Sequence, residues 1–189
     1  MDIDTPLTFQ RNARGDDSQR WATPPDVLAD ALALGGYRSF GVDLAAAPET
    51  AKAKVWYGPE HPDPAFRDGL TADLLLALAL YADDAAWLNP PYNRFAEFAA
   101  LAVRLGDLGI PVILLGFART DTRWWHDCIV PHAKMIAFRR GRIRFVDPTT
   151  GEVGQSAPAP SFLAFFGPRG WFAAEGRNGL KDRWWVVNP

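Results

Sequence analysis

Ala85-Ala86-Trp87-Leu88-Asn89-Pro90-Pro91-Tyr92 is the stretch that decides the fold. A short apolar run leads into two prolines, and an apolar helical pattern opens behind them at Phe95 and Phe98. That order reads as strand, rigid turn, helix. Proline fixes φ near −65°, and the residue before a proline is pushed out of the α region. Asn89 and Pro90 are therefore held extended at the end of a strand. In open α/β sheets, ligands bind at the carboxyl ends of strands. An amide side chain, a backbone carbonyl and an aromatic ring are thus expected together at a binding site.

The chemistry that suits this set is alkylation of an exocyclic amine on a nucleobase. The lone pair of adenine N6 is delocalised into the ring, which makes the amine a poor nucleophile. Two acceptors, the Asn89 side-chain oxygen and the Pro90 carbonyl, can bind its two N–H groups, draw the nitrogen toward tetrahedral geometry and stabilise the positive charge that develops on it. The Tyr92 ring can stack on an extruded base. A purely structural Pro-Pro turn with a buried tyrosine would show the same four letters, since short motifs carry false positives.

Asn89-Pro90-Pro91-Tyr92 after an apolar strand resembles the (Asp/Asn/Ser)-Pro-Pro-(Tyr/Phe/Trp) motif of amino-methyltransferases acting on DNA. Four further segments, with it in the right order, resemble the phage-type Dam-like DNA N6-adenine methyltransferase family. They are Trp21-Ala22-Thr23-Pro24; Phe40-Gly41-Val42-Asp43-Leu44-Ala45-Ala46; Arg119-Thr120-Asp121-Thr122-Arg123-Trp124; and Gly141-Arg142-Ile143-Arg144-Phe145. Each is weak alone; the ordered set spans residues 21 to about 166. The resemblance implies S-adenosylmethionine as cofactor, held by Trp21, Thr23, Pro24, Asp43, Leu44, Ala45 and Asn89. It implies Asn89, Pro90, Pro91 and Tyr92 as the catalytic set, duplex DNA as substrate, and a phage or prophage setting in a bacterial cytoplasm.

The rest of the chain bounds these readings. A length of 189 residues suits one domain, residues 20–189, behind a polar N-terminal arm at 1–19. Hydrophobic residues make up 48%, with eight Trp, enough for a packed core and against global disorder. The single cysteine, Cys128, excludes an internal disulfide, and His61, His126 and His132 form no recognisable metal motif, so no metal is expected. No signal pattern opens the chain, and Asp73, Asp83 and Asp84 interrupt its longest apolar stretch.

From the start, Thr23 is an N-cap candidate for a helix with Pro24 and Pro25 early, Asp26 in its first turn and a stop at Gly35-Gly36. Residues 39–46 read as the first sheet strand, ending at Asp43, with alanines where many nucleotide folds carry a Gly-x-Gly loop. From spacing alone, Asp43 either meets a ligand or caps the next turn. Val55-Trp56-Tyr57 reads as a second strand, 59–69 as a loop and 70–80 as a helix; Asp68 and Asp73 read as solvated acids rather than cofactor contacts. A helix over 96–105 ends at Gly106. Residues 110–117 form a fully apolar run that suits a strand buried on both faces. Thr120 or Asp121 then caps a helix carrying Trp124, Trp125 and Ile129. Residues 135–146 read as two strands meeting in a hairpin at Arg140-Gly141, 147–160 as a loop, 161–166 and 184–187 as strands, and 167–183 as a Gly-rich connection.

The expected fold is α/β, a Rossmann-like S-adenosylmethionine-dependent methyltransferase sheet with helices on both faces and no separate target-recognition domain. The net charge of −2 gives no global attraction to DNA, so phosphate binding falls to local arginines. Arg119, Arg123, Arg139, Arg140, Arg142 and Arg144 are the candidates, with Arg140, Arg142 and Arg144 expected on one hairpin face. The expected reaction is direct in-line methyl transfer to adenine N6 of a flipped base. The alternatives are N4-cytosine methylation, which the same acceptor pair serves, and a DNA-binding module without catalysis.

Overall fold

The structure, a computed structural model, describes residues 21–71, 84–168 and 180–189. Helix α1 (Pro25–Gly35) precedes β1 (Ser39–Asp43) and a short β2 (Val55–Trp56). Strand β3 (Asp84–Leu88) leads through a 3-10 turn at Tyr92–Arg94 into α2 (Phe95–Asp107) and then β4 (Val112–Phe117). There follow a π-helical turn (Trp125–Ile129), β5 (Met135–Arg139), β6 (Arg144–Val146), β7 (Val153–Ser156), β8 (Ser161–Phe166) and β9 (Trp184–Val187). The expected arm at 1–19, the helix over 70–80 beyond Thr71, Asp73, and most of the 167–183 connection lie outside the described residues.

Seven of these strands form one sheet in the order β2-β1-β3-β4-β8-β5-β9. β2, β1, β3 and β4 are parallel, whereas β8 runs antiparallel to both β4 and β5, and β9 antiparallel to β5. β4 and β5 therefore point the same way, and the carboxyl ends of β1, β3, β4 and β5 share one edge of the sheet.

The period-two alternation of the strands splits the core. Ala86, Leu88, Val112, Leu114, Phe162, Ala164 and Phe166 face α2, packing on Phe95, Phe98, Leu101 and Leu105. Ala85, Trp87, Ile113, Leu115, Leu163 and Phe165 face α1, packing on Val27, Ala31 and Leu34. All six residues of β4 are buried, as its unbroken apolar run requires of a central strand. The result is a mixed α/β sheet with a helix on each face.

Helix α1 stops where expected, with Gly36 left-handed at φ 73°. Its start differs. Pro24 is the N-cap and no side chain caps it, because the Thr23 hydroxyl is engaged elsewhere. Helix α2 runs through Gly106 to Asp107, and the chain reverses at Gly109 (φ 82°). After β4 no capped α-helix forms. The Thr122 hydroxyl donates to the Arg119 carbonyl at 2.7 Å, and Trp125–Ile129 makes a π-helical turn without a side-chain cap.

The hairpin expected at Arg140-Gly141 does not form. Strand β5 finds its partners in β8 and β9, while β6 pairs with β7 in a separate ribbon. Gly141, at φ 79°, breaks the strand between them, so Arg140, Arg142 and Arg144 do not share a regular strand face. The expected loop over 147–160 contains β7. This ribbon gains a third segment from the chain start, because Ala22 and Val146 exchange both backbone hydrogen bonds, at 2.8 and 3.0 Å.

Buried ion pairs tie α1 to the far sheet edge. Asp30, 3% exposed, accepts from Arg139 Nη1 at 3.0 Å, from Trp184 Nε1 at 2.7 Å and from both Nε and Nη2 of Arg183. Arg139 also reaches Asp26 at 3.1 Å and lies over the Trp184 ring. Burial works against the Asp30 charge. Hydrogen bonds from Arg183 and Trp184, with the charges of Arg183 and Arg139, more than offset it and hold the carboxyl below its usual range.

Candidate active site

From β1 the chain passes to β2 on one side of the sheet and then to β3 on the other. The carboxyl ends of β1 and β3 therefore flank a topological switch point, where a crevice opens in sheets of this kind. Asp43 ends β1 and is in register with Trp87, and Asn89 follows β3. A cleft opens here, lined by Trp21, Ala22, Thr23, Asp43, Ala45, Thr50, Lys52, Trp87 and Asn89.

The structure thus brings Trp21, Thr23, Asp43, Ala45 and Asn89 together around one cleft, although they come from three separate segments. Two other candidates stand apart from its lining. Leu44, 1% exposed, packs into the core on the α2 face, and Pro24 is the buried N-cap of α1. Thr23, expected as the cap, instead accepts a hydrogen bond from Asn89 Nδ2 at 3.3 Å. That bond fixes the amide and leaves Asn89 Oδ1 without a donor among the described residues. The Pro90 carbonyl likewise accepts nothing from them.

Asp43 combines the two readings its position allows. Oδ1 accepts from the Ala45 N–H at 3.2 Å and Oδ2 from the Lys52 N–H at 3.0 Å, so the carboxylate caps the turn after β1. It also lines the cleft, with one lone pair on each oxygen not taken by any described residue. Burial pushes its carboxyl up to about 6, against the pull of those two N–H groups and of the Lys52 charge. The folded protein binds this proton more tightly than the unfolded chain does. The charged carboxylate therefore costs stability above about pH 6, and the cost is relieved as pH falls from there toward the unfolded value.

The turn after β1 has no glycine of its own; the room comes from outside. A Cβ on Gly58 would stand 1.8 Å from the Ala46 carbonyl oxygen, and one on Gly69 1.9 Å from that of Leu44. These two glycines clasp the Leu44–Ala46 backbone between them.

Tyr92 stands at the other side of Asn89. Its ring lies flat on Phe117, centroids 4.0 Å apart and planes 9° apart, yet the residue is 44% exposed. Burial raises the phenol well above its usual range, and the Arg119 charge pulls the other way. Of the arginine candidates, Arg119, Arg123, Arg140 and Arg142 are exposed. Arg119 and Arg123 follow β4 and Arg140 and Arg142 follow β5, so all four leave the same sheet edge as Asn89. Arg144 is exposed but its Nε donates to the Gly154 carbonyl at 3.2 Å. Arg139 is withdrawn from the set by its pairs with Asp26 and Asp30. Asp68 pairs with Arg94 at 3.4 Å and caps the Leu70 N–H, a structural acid.

Thr50, Lys52 and Trp87 escaped the sequence reading. Trp87 carried a signal, since its strand neighbours already pointed to the site. Thr50 and Lys52 had none, because the chain returns them to the cleft through an irregular loop. Among the described residues no group of three or more His, Cys, Asp or Glu is placed to hold a metal, and no helix is long and apolar enough to cross a membrane.

The family model for DNA N-6-adenine-methyltransferase (Dam) matches residues 10–183. A "DNA N-6-adenine-methyltransferase" of Haemophilus phage HP1 (strain HP1c1) is 26% identical over 164 residues, covering 86% of this chain and 87% of its own. No solved structure matches. With matched residues running from before Trp21 to beyond Lys181, across both sides of the cleft, the chain belongs to the DNA N-6-adenine-methyltransferase (Dam) family.

Proposed function

We propose that this protein transfers a methyl group from S-adenosylmethionine to N6 of adenine in duplex DNA, with the target base flipped out of the helix. The observation that carries the reading is the pair of acceptors that no described residue engages, Asn89 Oδ1 and the Pro90 carbonyl, at the tip of β3 beside a polar cleft. The cleft suits the cofactor's chemistry: Asp43, Lys52, Thr50 and Thr23 offer partners to an ammonium, a carboxylate and hydroxyls, and Trp21, 38% exposed, offers a ring to a base. S-adenosylmethionine would supply an electrophilic methyl carbon for direct in-line displacement.

The residues of the chain do the rest. Asn89 and Pro90 accept the two N6 hydrogens and grow more favourable as the nitrogen becomes cationic. The Tyr92 ring, braced on Phe117, receives the extruded base on its exposed side. No strong base is required, because the methylated amine is acidic while cationic and gives its proton to water. Calorimetric titration of the protein with S-adenosylmethionine tests the reading. One-to-one binding is expected, and no detectable heat at millimolar ligand would contradict it.

Arg119, Arg123, Arg140 and Arg142 frame the same edge and form the proposed phosphate-binding surface. Arg142→Ala is expected to weaken DNA binding across sequences and to lower the slope of log K against log salt by about 1. Arg139→Ala is expected to leave that slope unchanged and to lower the melting temperature instead. DNA titrations at several salt concentrations distinguish them, and equal slopes for wild type and Arg142→Ala would remove Arg142 from the surface.

A further inference from the structure

Among the described residues Lys52 is the one cation that lines the cleft, and no step of the methyl transfer itself uses it. Its backbone N–H is committed to Asp43 Oδ2. Its side-chain ammonium has no hydrogen bond or ion pair with a described residue, although the residue is only partly exposed. Burial lowers its affinity for a proton, and the Asp43 charge works in the opposite direction, which places the ammonium in the field of Asp43 without a direct pair. A partly desolvated cation without a counter-ion is unfavourable unless an anion arrives. Arg94 and Arg139, by contrast, have their carboxylates in the folded chain.

Asp43 and Lys52 stand side by side in one cleft, one carboxylate and one ammonium. That pair is the complement of a zwitterion. We infer that Lys52 receives the carboxylate of the amino-acid end of the cofactor, while the free lone pairs of Asp43 face its ammonium. The inference rests on the methyltransferase reading and goes further by assigning the polarity of the cleft. A DNA phosphate is the other source of an anion at this sheet edge. It is disfavoured because Lys52 sits among Thr50, Asp43 and Ala45 on the β1 side, away from Tyr92 and Arg119.

Lys52→Met tests this cleanly, because the backbone bond to Asp43 survives. Calorimetry would compare S-adenosylmethionine with decarboxylated S-adenosylmethionine, which keeps the ammonium and lacks only the carboxylate. Wild type is expected to prefer the intact cofactor by about tenfold or more, the size of a charge-assisted hydrogen bond. Lys52→Met should lose about that factor for S-adenosylmethionine and nothing for the decarboxylated form, and Lys52→Arg should recover part of it. Equal losses for both ligands, or no loss for either, would overturn the assignment. A loss of duplex DNA affinity with cofactor affinity unchanged would overturn it in favour of phosphate. Wild-type protein that binds neither ligand would overturn the methyltransferase reading itself.

Discussion

Asn89→Ala is expected to lower the turnover number for DNA methylation by about 10²–10³, the cost of removing one acceptor that acts mainly in the transition state. Affinity for S-adenosylmethionine should fall much less. The variant also loses the 3.3 Å bond from Asn89 Nδ2 to Thr23, so Thr23→Val serves as its control. Thr23→Val keeps Oδ1 and loosens the amide; it also removes a cofactor partner, so it is compared at saturating S-adenosylmethionine, where its turnover should fall by about tenfold at most. Single-turnover kinetics on both variants decide the matter. Equal losses would mean that Asn89 acts by shaping the cleft, and an undiminished Asn89→Ala enzyme would refute its role as acceptor.

Asp30→Ala is expected to have the largest effect on stability, about 3 kcal/mol. That is the low end for breaking a buried ion pair, because Arg183 keeps half its side chain in water. For a domain of this size the melting temperature should fall by about 6–12 °C. The loss has a definite pH signature. The Asp30 carboxyl is held below its usual range in the folded protein, so its contribution is full above the unfolded value near 4 and is lost as pH falls through the folded one. Wild type and variant should therefore converge in acid. A gap that stays undiminished however far the pH falls into acid while both proteins still fold would contradict the charge network as its cause.

Much of this architecture was legible because local pattern and tertiary role agree. β4 and β8 are apolar on both faces and lie inside the sheet. Gly36 takes the left-handed conformation its position announced. The two prolines after Asn89 mark the end of β3 at the switch point, so Asn89 could be placed at the carboxyl edge of the sheet, where it lines the cleft, before the sheet was known. What was hidden depends on distant partners. Thr23 has the chemistry of a helix cap, but a residue 66 positions away takes its hydroxyl. Arg139 looked like one of a basic cluster, but its carboxylate Asp30 lies 109 positions back. Arg140-Gly141 has turn chemistry, but β5 pairs non-locally with β8 and β9 and β6 pairs with β7, so no hairpin closes there. The residues 153–156 hide a strand because they are exposed and include Gly and Gln.

The central claim is that the acceptors at the tip of β3 direct methyl transfer to adenine N6. Incubating the protein with unmodified duplex DNA and S-adenosylmethionine, then digesting to nucleosides and separating them by mass spectrometry, addresses it most directly. The account predicts N6-methyldeoxyadenosine, formed about 10²–10³ times more slowly when Asn89→Ala replaces wild type. N4-methyldeoxycytidine as the product, or no methylated nucleoside from protein that binds both DNA and S-adenosylmethionine, would contradict it.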